Sequence, residues 1–235
     1  RLDKAGTDKR RLRALHAELG AVRVLDPACG CGNFLVVAYR ELRKLEIDIL
    51  ARLHPRVEGA MTAEQRALFD VRQELKVDVS QFYGIELSPW PAKIAEVAMW
   101  LMDHQMNLEV GLAFGEPVLR LPLDTSATVV CGNALRMDWN EVLPAGRCSF
   151  VVGNPPFVGG KYQSAAQRDD MRAVWGSTKG AGLLDYVTAW YALAAGYLRG
   201  HAGRAALVST NSITQGEQAG VLWNELFRRG VTIDF

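Results

Sequence analysis

Six short runs of β-forming residues recur along this chain: V-R-V-L-D (22–26), F-Y-G-I-E (82–86), A-T-V-V-C (127–131), C-S-F-V-V (148–152), R-A-A-L-V-S (204–209) and V-T-I-D-F (231–235). Between them, the stretches over about 33–53, 89–106, 182–199 and 217–229 carry apolar residues at threes and fours, the period of an amphipathic helix. This alternation predicts an α/β domain. Parallel neighbours need a crossover, and crossover helices cover a face, so the sheet should be mostly parallel with helices on both sides. Such sheets bind ligands at the carboxyl ends of their strands. Asp26, Glu86, Asn133 and Asn154 all fall at or just past a predicted strand end.

The first strand runs into its helix through D-P-A-C-G-C-G-N-F-L (26–35). Gly30 and Gly32 permit positive φ or close backbone approach, and the helix behind them offers free N–H groups and the positive end of its dipole. The dinucleotide fingerprint would place a third glycine where Leu35 stands, which counts against a nicotinamide cofactor. An aspartate at the strand end suits an ammonium group, and the glycines suit the adjoining carboxylate. Glu86, ending the second strand, can accept both hydroxyls of a ribose, although Ser88 before Pro89 also reads as a helix N-cap. An amino-acid tail plus a ribose describes S-adenosylmethionine.

V-V-G-N-P-P-F-V (151–158) drives an apolar strand into two prolines. Prolines fix φ and carry no N–H, so the turn accepts hydrogen bonds without donating them. Its guest should be rich in donors, as an aromatic amine awaiting a methyl is. The side-chain oxygen of Asn154 and the carbonyl of Pro155, held rigid with Pro156, would take the amine hydrogens and free the nitrogen lone pair. Phe157 would stack on the ring. No strong base is required, since the amine loses its proton after attack, and His104 and His201 are given no part. A base in duplex DNA would have to flip out to reach the turn.

Composition narrows the class. The chain has 235 residues, 49% hydrophobic and 23% charged, with net charge +1, enough for a sizeable core and without the global charge of a polyanion binder. No run approaches the roughly 18 to 20 apolar residues of a membrane span, and the start has no signal-peptide core, so a cytoplasmic location is expected. Four cysteines are too few for a disulfide framework, and Cys29 and Cys31 lack zinc-ribbon spacing, so no metal is predicted.

The motifs D-P-A-C-G-C-G-N-F (26–34), G-I-E-L (84–87), G-N-A-L-R-M-D-W (132–139), G-N-P-P-F-V-G (153–159), L-D-Y-V-T-A-W-Y (184–191) and S-T-N-S-I-T-Q-G-E-Q (209–218) resemble, in order, those of class I DNA amino-methyltransferases. The order resembles the γ-type N6-adenine enzymes, and N-F-L-V-V-A-Y-R-E-L-R resembles the MmeI-like type IIL restriction-modification proteins. The resemblance implies a Rossmann-like class I methyltransferase fold, with S-adenosylmethionine as cofactor and double-stranded DNA as partner. It places Asp26, Ala28, Gly30, Gly32 and Asn33 around the methionine part of the cofactor. Glu86 falls at the ribose, and Leu87, Asn133 and Ala134 near the adenine. Asn154, Pro155, Pro156 and Phe157 form the catalytic turn, and Asp185 and Tyr186 a pocket wall. Asn133 departs from the Asp common in relatives.

The chain is read as a methyltransferase domain over 1–235, with an N-terminal helix over about 1–20 and an insertion over about 54–80. It lacks an initial Met and closes on an apolar strand, as a piece of a longer protein would, with nuclease and target-recognition regions expected outside it. Asn-Pro-Pro-aromatic turns also serve cytosine N4, RNA and protein glutamine methylation. A cofactor-sensing module of a nuclease is the alternative of another class, but such a sensor would not need the acceptor turn.

Overall fold

The computed structural model of the chain describes residues 2–54, 71–115 and 126–234. Five strands, β1 (Val24–Asp26), β2 (Phe82–Glu86), β3 (Thr128–Cys131), β4 (Phe150–Gly153) and β5 (Arg204–Leu207), form one sheet in the order β3-β2-β1-β4-β5. Every neighbouring pair is parallel. The helices are α1 (Leu2–Ala5), α2 (Lys9–Ala21), α3 (Asn33–Leu53), α4 (Val71–Glu74), α5 (Pro89–Phe114), α6 (Ala165–Trp175), α7 (Thr188–Tyr197) and α8 (Glu217–Arg228). None of them is long and apolar enough to cross a membrane.

Adjacent residues of β1 point to opposite faces and so serve different cores. Val24 joins Phe82 in a cluster with Leu12 and Leu19 of α2, Leu35 and Tyr39 of α3, and Met99 and Met106 of α5. Leu25 joins Ile85 and Val151 in a second cluster with Trp175 of α6, Trp190 of α7 and Leu226 of α8. The sheet is therefore covered on both faces, as the strand composition predicts. Strand order reverses between the two neighbours of β1, which opens a crevice at the carboxyl ends of β1 and β4.

Three expectations need revision, and one helix was not anticipated. V-T-I-D-F forms no strand over 231–234: a strand is completed by a ladder partner, and these residues pair with none of the five strands. The helix expected over 182–199 begins only at Thr188, because backbone groups upstream are claimed by neighbours: Asp185 N–H by the Gln218 side chain and Tyr186 N–H by the Val158 carbonyl. The helix expected over 89–106 runs on to Phe114, where Gly115 ends it in a left-handed conformation. Helix α6 has no counterpart in the sequence reading, although Ser164 and Gln167 form a capping box at its start. Of the segment read as an insertion, residues 55–70 lie outside the described residues, whereas Val71, Val77 and Val79 are buried in the first cluster.

Candidate active site

The turn after β1 is built by two left-handed glycines, Gly30 at φ 54° and Gly32 at φ 85°, the latter in the N-cap position of α3. A Cβ on Gly32 would lie 3.0 Å from the Cβ of Ala95, so a side chain there would crowd α5 as well as strain the turn. Around Gly30 there is open space. Ala28 is half-buried, and Asn33 is exposed at the first turn of α3.

Asp26 ends β1 almost wholly buried, at 1% exposure. Its Oδ1 accepts the Ala28 N–H at 3.0 Å, while its Oδ2 is buried without a hydrogen-bond partner. Burial pushes this carboxyl up to about 7, the Ala28 N–H opposes the rise, and the negative charge of Glu86 adds to it. Gly153 of β4 stands against it, and a Cβ there would meet Asp26 Oδ1 at 2.6 Å. The glycine before the Asn-Pro-Pro-Phe turn is thus required by the carboxylate on the next strand. Cys29, beside both acids, has its thiol pushed far up by burial and their charges, which makes it a poor nucleophile.

Glu86 joins the two βα turns. Its Oε2 accepts the Gly30 N–H at 3.0 Å and its Oε1 the Ser88 N–H at 2.9 Å. A carboxylate offers about four lone-pair positions, so two remain for a ligand. Ser88 occupies the N-cap position of α5, but its side chain makes no capping bond; its N–H serves Glu86 instead. Leu87 projects next to it, 68% exposed.

On the neighbouring strand end, Asn154 is exposed and its side chain makes no hydrogen bond among the described residues. Pro155 is buried, Pro156 exposed, and Phe157 lies 45% exposed beside them. The chain beyond is clamped: the Val158 carbonyl accepts the Tyr186 N–H at 2.9 Å, and a Cβ on Gly160 would meet the Gly182 carbonyl at 3.1 Å.

Asn133 follows β3 with both ends of its amide occupied. Its Oδ1 accepts the Leu135 N–H at 2.9 Å, and its Nδ2 lies 3.3 and 3.2 Å from the two carboxylate oxygens of Asp170. Ala134 is buried, its carbonyl bound by the Trp139 indole N–H. Asp170, on α6, also accepts from Arg136 Nε at 2.6 Å and Tyr186 OH at 2.7 Å. Burial works to raise its carboxyl, but the bonds from Arg136, Tyr186 and Asn133 outweigh this and hold it below the usual carboxylate range. Tyr186 meets Trp190 edge-on, with centroids 5.3 Å apart, and the Trp190 indole N–H binds the Pro27 carbonyl at 3.0 Å. Asp185 is held by Ser212 and Gln218.

The structure thus gathers Asp26, Ala28, Gly30, Gly32, Asn33 and Glu86 around one crevice, with Asn154 and its turn alongside on β4. Sequence reasoning missed Asp170 and the indole of Trp190. Their partners lie far away in sequence, and no local spacing marks them; only the quoted L-D-Y-V-T-A-W-Y held a hint. A separate depression of about 550 Å³, lined by Thr178, Gly180, Glu217, Val221 and Arg228, shares no residue with this crevice.

A family model described as the DNA-methyltransferase domain of MmeI matches residues 2–235. The chain belongs to this family. DNA methyltransferase A of Bacillus subtilis (strain 168) is 40% identical over 231 residues, covering 97% of this chain and 25% of that protein. A solved structure of the type IIL restriction-modification enzyme MmeI in complex with DNA superposes with a TM-score of 0.89 at 45% identity, over 97% of this chain and 30% of that one. A DrdV–DNA complex, at 18% identity and TM-score 0.52 over 89% of this chain and 19% of that one, shares the fold. The MmeI-family domain described here therefore spans about a quarter to a third of the length of the first two.

Proposed function

We propose that this domain transfers a methyl group from S-adenosylmethionine to the N6 amino group of adenine in DNA, as the catalytic part of a longer restriction-modification protein. The observation that carries the reading is the side-by-side placement of an orphaned, buried carboxylate oxygen and an acceptor-rich turn at the ends of β1 and β4. The first fits the cofactor: Asp26 Oδ2 lacks a donor that an ammonium group would provide, and the open space at Gly30 admits the adjoining carboxylate. Glu86 has lone pairs to spare for ribose hydroxyls. Leu87 and the Asn133–Ala134 segment flank the adenine. When bound, the cofactor supplies a methyl group already activated on its sulfonium.

The chain's own work is then to make the amine attack. The Asn154 amide oxygen and the Pro155 carbonyl hold the two amine hydrogens, draw the nitrogen toward tetrahedral geometry and free its lone pair. The prolines keep both acceptors fixed, so no reorganisation is needed at the moment of transfer. Phe157 stacks on the flipped base. The proton is shed after the new N–C bond forms.

Single-molecule sequencing of genomic DNA from cells expressing the intact protein tests this reading. N6-methyladenine should occur in one sequence context and vanish in Asn154→Ala. Methyl groups found on cytosine N4, or an Asn154→Ala genome modified like the wild type, would overturn it.

A further inference from the structure

Among the described residues Asp170 makes no hydrogen bond with the glycine turn or the Asn-Pro-Pro-Phe turn, yet it is buried, ionised and wired to both sides of the crevice. Resting on the reading above, we infer that Asp170 is a positioning residue that fixes the Asn133 amide toward the cofactor's adenine and, through Tyr186, ties that end of the site to the segment following the acceptor turn.

An asparagine amide can present its oxygen or its nitrogen in a given direction, and the two choices are opposite in hydrogen-bond sense. A carboxylate only accepts. Asp170 therefore draws Nδ2 toward itself, at 3.2 and 3.3 Å, and leaves Oδ1 to the Leu135 N–H. One amide hydrogen and one oxygen lone pair remain, both with fixed directions, which is what recognition of an adenine edge requires. The second arm runs through Tyr186. Its hydroxyl is bound by Asp170, its own N–H holds the Val158 carbonyl four residues past Asn154, and its ring abuts Trp190, whose indole N–H pins Pro27 at the start of the glycine turn. One carboxylate thus touches, directly or through one side chain, the wall beyond β3 and the chain leaving the acceptor turn. The Arg136 guanidinium, on Oδ1, balances its charge.

Asp170→Asn tests this because it keeps the shape while removing the acceptor-only character: the new amide can face the Asn133 amide nitrogen with a donor. In the intact protein, calorimetry with S-adenosylmethionine should show wild-type binding and a dissociation constant raised about tenfold in Asp170→Asn, the scale of one lost charge-assisted bond. Asn133→Ala should lose a similar factor, and the double variant no more than Asn133→Ala alone, since the hold of Asp170 on the cofactor runs through that amide while its Tyr186 arm serves the chain beyond the acceptor turn. A purely structural role would give multiplying losses. Should Asp170→Asn not fold, Asp170→Ser gives the same cycle. Wild-type affinity in Asp170→Asn, or multiplying effects in the double variant, overturns the positioning role while leaving the cofactor site intact. A wild-type protein that binds no S-adenosylmethionine overturns the site reading and this inference with it.

Discussion

Among the described residues, Glu46 and Asp26 are the carboxylates buried to 1% exposure or less, and they could hardly be treated more differently. Glu46, under α2 and α5, has both oxygens taken: Oε1 by His16 Nε2 and the Lys76 and Val77 N–H groups, Oε2 by Arg43. Arg43 passes on to Asn107, and Asn107 to Asp103, which also receives the Tyr39 hydroxyl. Burial pushes Glu46 up, but the His16, Lys76 and Arg43 contacts prevail and its carboxyl ends below the ordinary value. Asp26 has one backbone partner, an empty second oxygen and a carboxyl raised to about 7. Burial alone therefore does not mark a site. A buried charge with every lone pair answered is architecture; one left short of a donor is a socket.

Removing each acid should separate the two. Glu46→Ala leaves Arg43 buried beside three other stranded partners, His16 Nε2 and the Lys76 and Val77 N–H groups, and breaking a buried pair costs about 3–5 kcal/mol. Hydrogen exchange in the intact protein should show α3 and α5 opening far more readily, with cofactor binding lost only as the domain opens. Asp26→Asn should do the reverse. Ionising Asp26 in place of a free carboxyl costs the fold up to roughly 4 kcal/mol, so the amide should match or exceed wild-type protection at neutral pH. Cofactor affinity should nevertheless fall by about tenfold or more. Loss of protection in Asp26→Asn on the scale of Glu46→Ala would erase the distinction.

Acidity offers a second separation, smaller in effect. The folded-state value of Asp26 lies above its unfolded value of 3.8, so the folded chain holds this proton more tightly. Its contribution to stability is then greatest below 3.8 and falls as pH rises toward 7. Glu46 is opposite: its folded value is depressed, so its contribution is present above 4.5 and lost as pH falls below that. Binding of an ammonium needs Asp26 ionised, with Glu86 as the nearby charge that opposes ionisation. Affinity for S-adenosylmethionine should thus climb, approaching about tenfold per pH unit, up to pH 7 and level off above it. Asp26→Asn should flatten the profile. An affinity that falls over the same interval would mean that protonated Asp26 is the donor.

The same contrast explains what the sequence could reveal. Parallel strands announce themselves locally, and the five observed fall within two residues of their expected runs at each end. The glycine turn, Glu86 and the Asn-Pro-Pro-Phe turn were legible because each is a contiguous pattern at a strand end. The buried network around Glu46 was not: His16, Arg43, Asn107 and Lys76 sit in separate elements, and a polar residue on an apolar helix face looks the same whether or not it has partners. Asp170 was hidden for the same reason, since its partners lie 16 to 37 residues away along the chain. The run 231–235 misled because β-propensity describes a surface to be covered, whereas a strand also needs a neighbour.

The smallest expected effect concerns two serines at helix starts. Ser88 and Ser164 both precede helices in the N-cap position, although the sequence reading marks only Ser88 as a cap. At Ser164 the hydroxyl accepts the Gln167 N–H and the Gln167 side chain returns to the Ser164 N–H, so Ser164→Ala should cost about 1 kcal/mol in the protection of α6. At Ser88 the helix opens with Pro89, which brings no N–H to cap, and it is the serine's backbone N–H that is used, by Glu86. A carboxylate just ahead of α5 also faces the positive end of its dipole, so this helix start is served by the candidate ribose ligand itself. Ser88→Ala keeps that N–H and should shift α5 protection by less than about 0.5 kcal/mol, with cofactor affinity unchanged. Hydrogen exchange on the two variants decides the matter: an equal loss at both positions would mean that the Ser88 hydroxyl caps α5 after all, and that Glu86 is freer to move than its two backbone bonds imply.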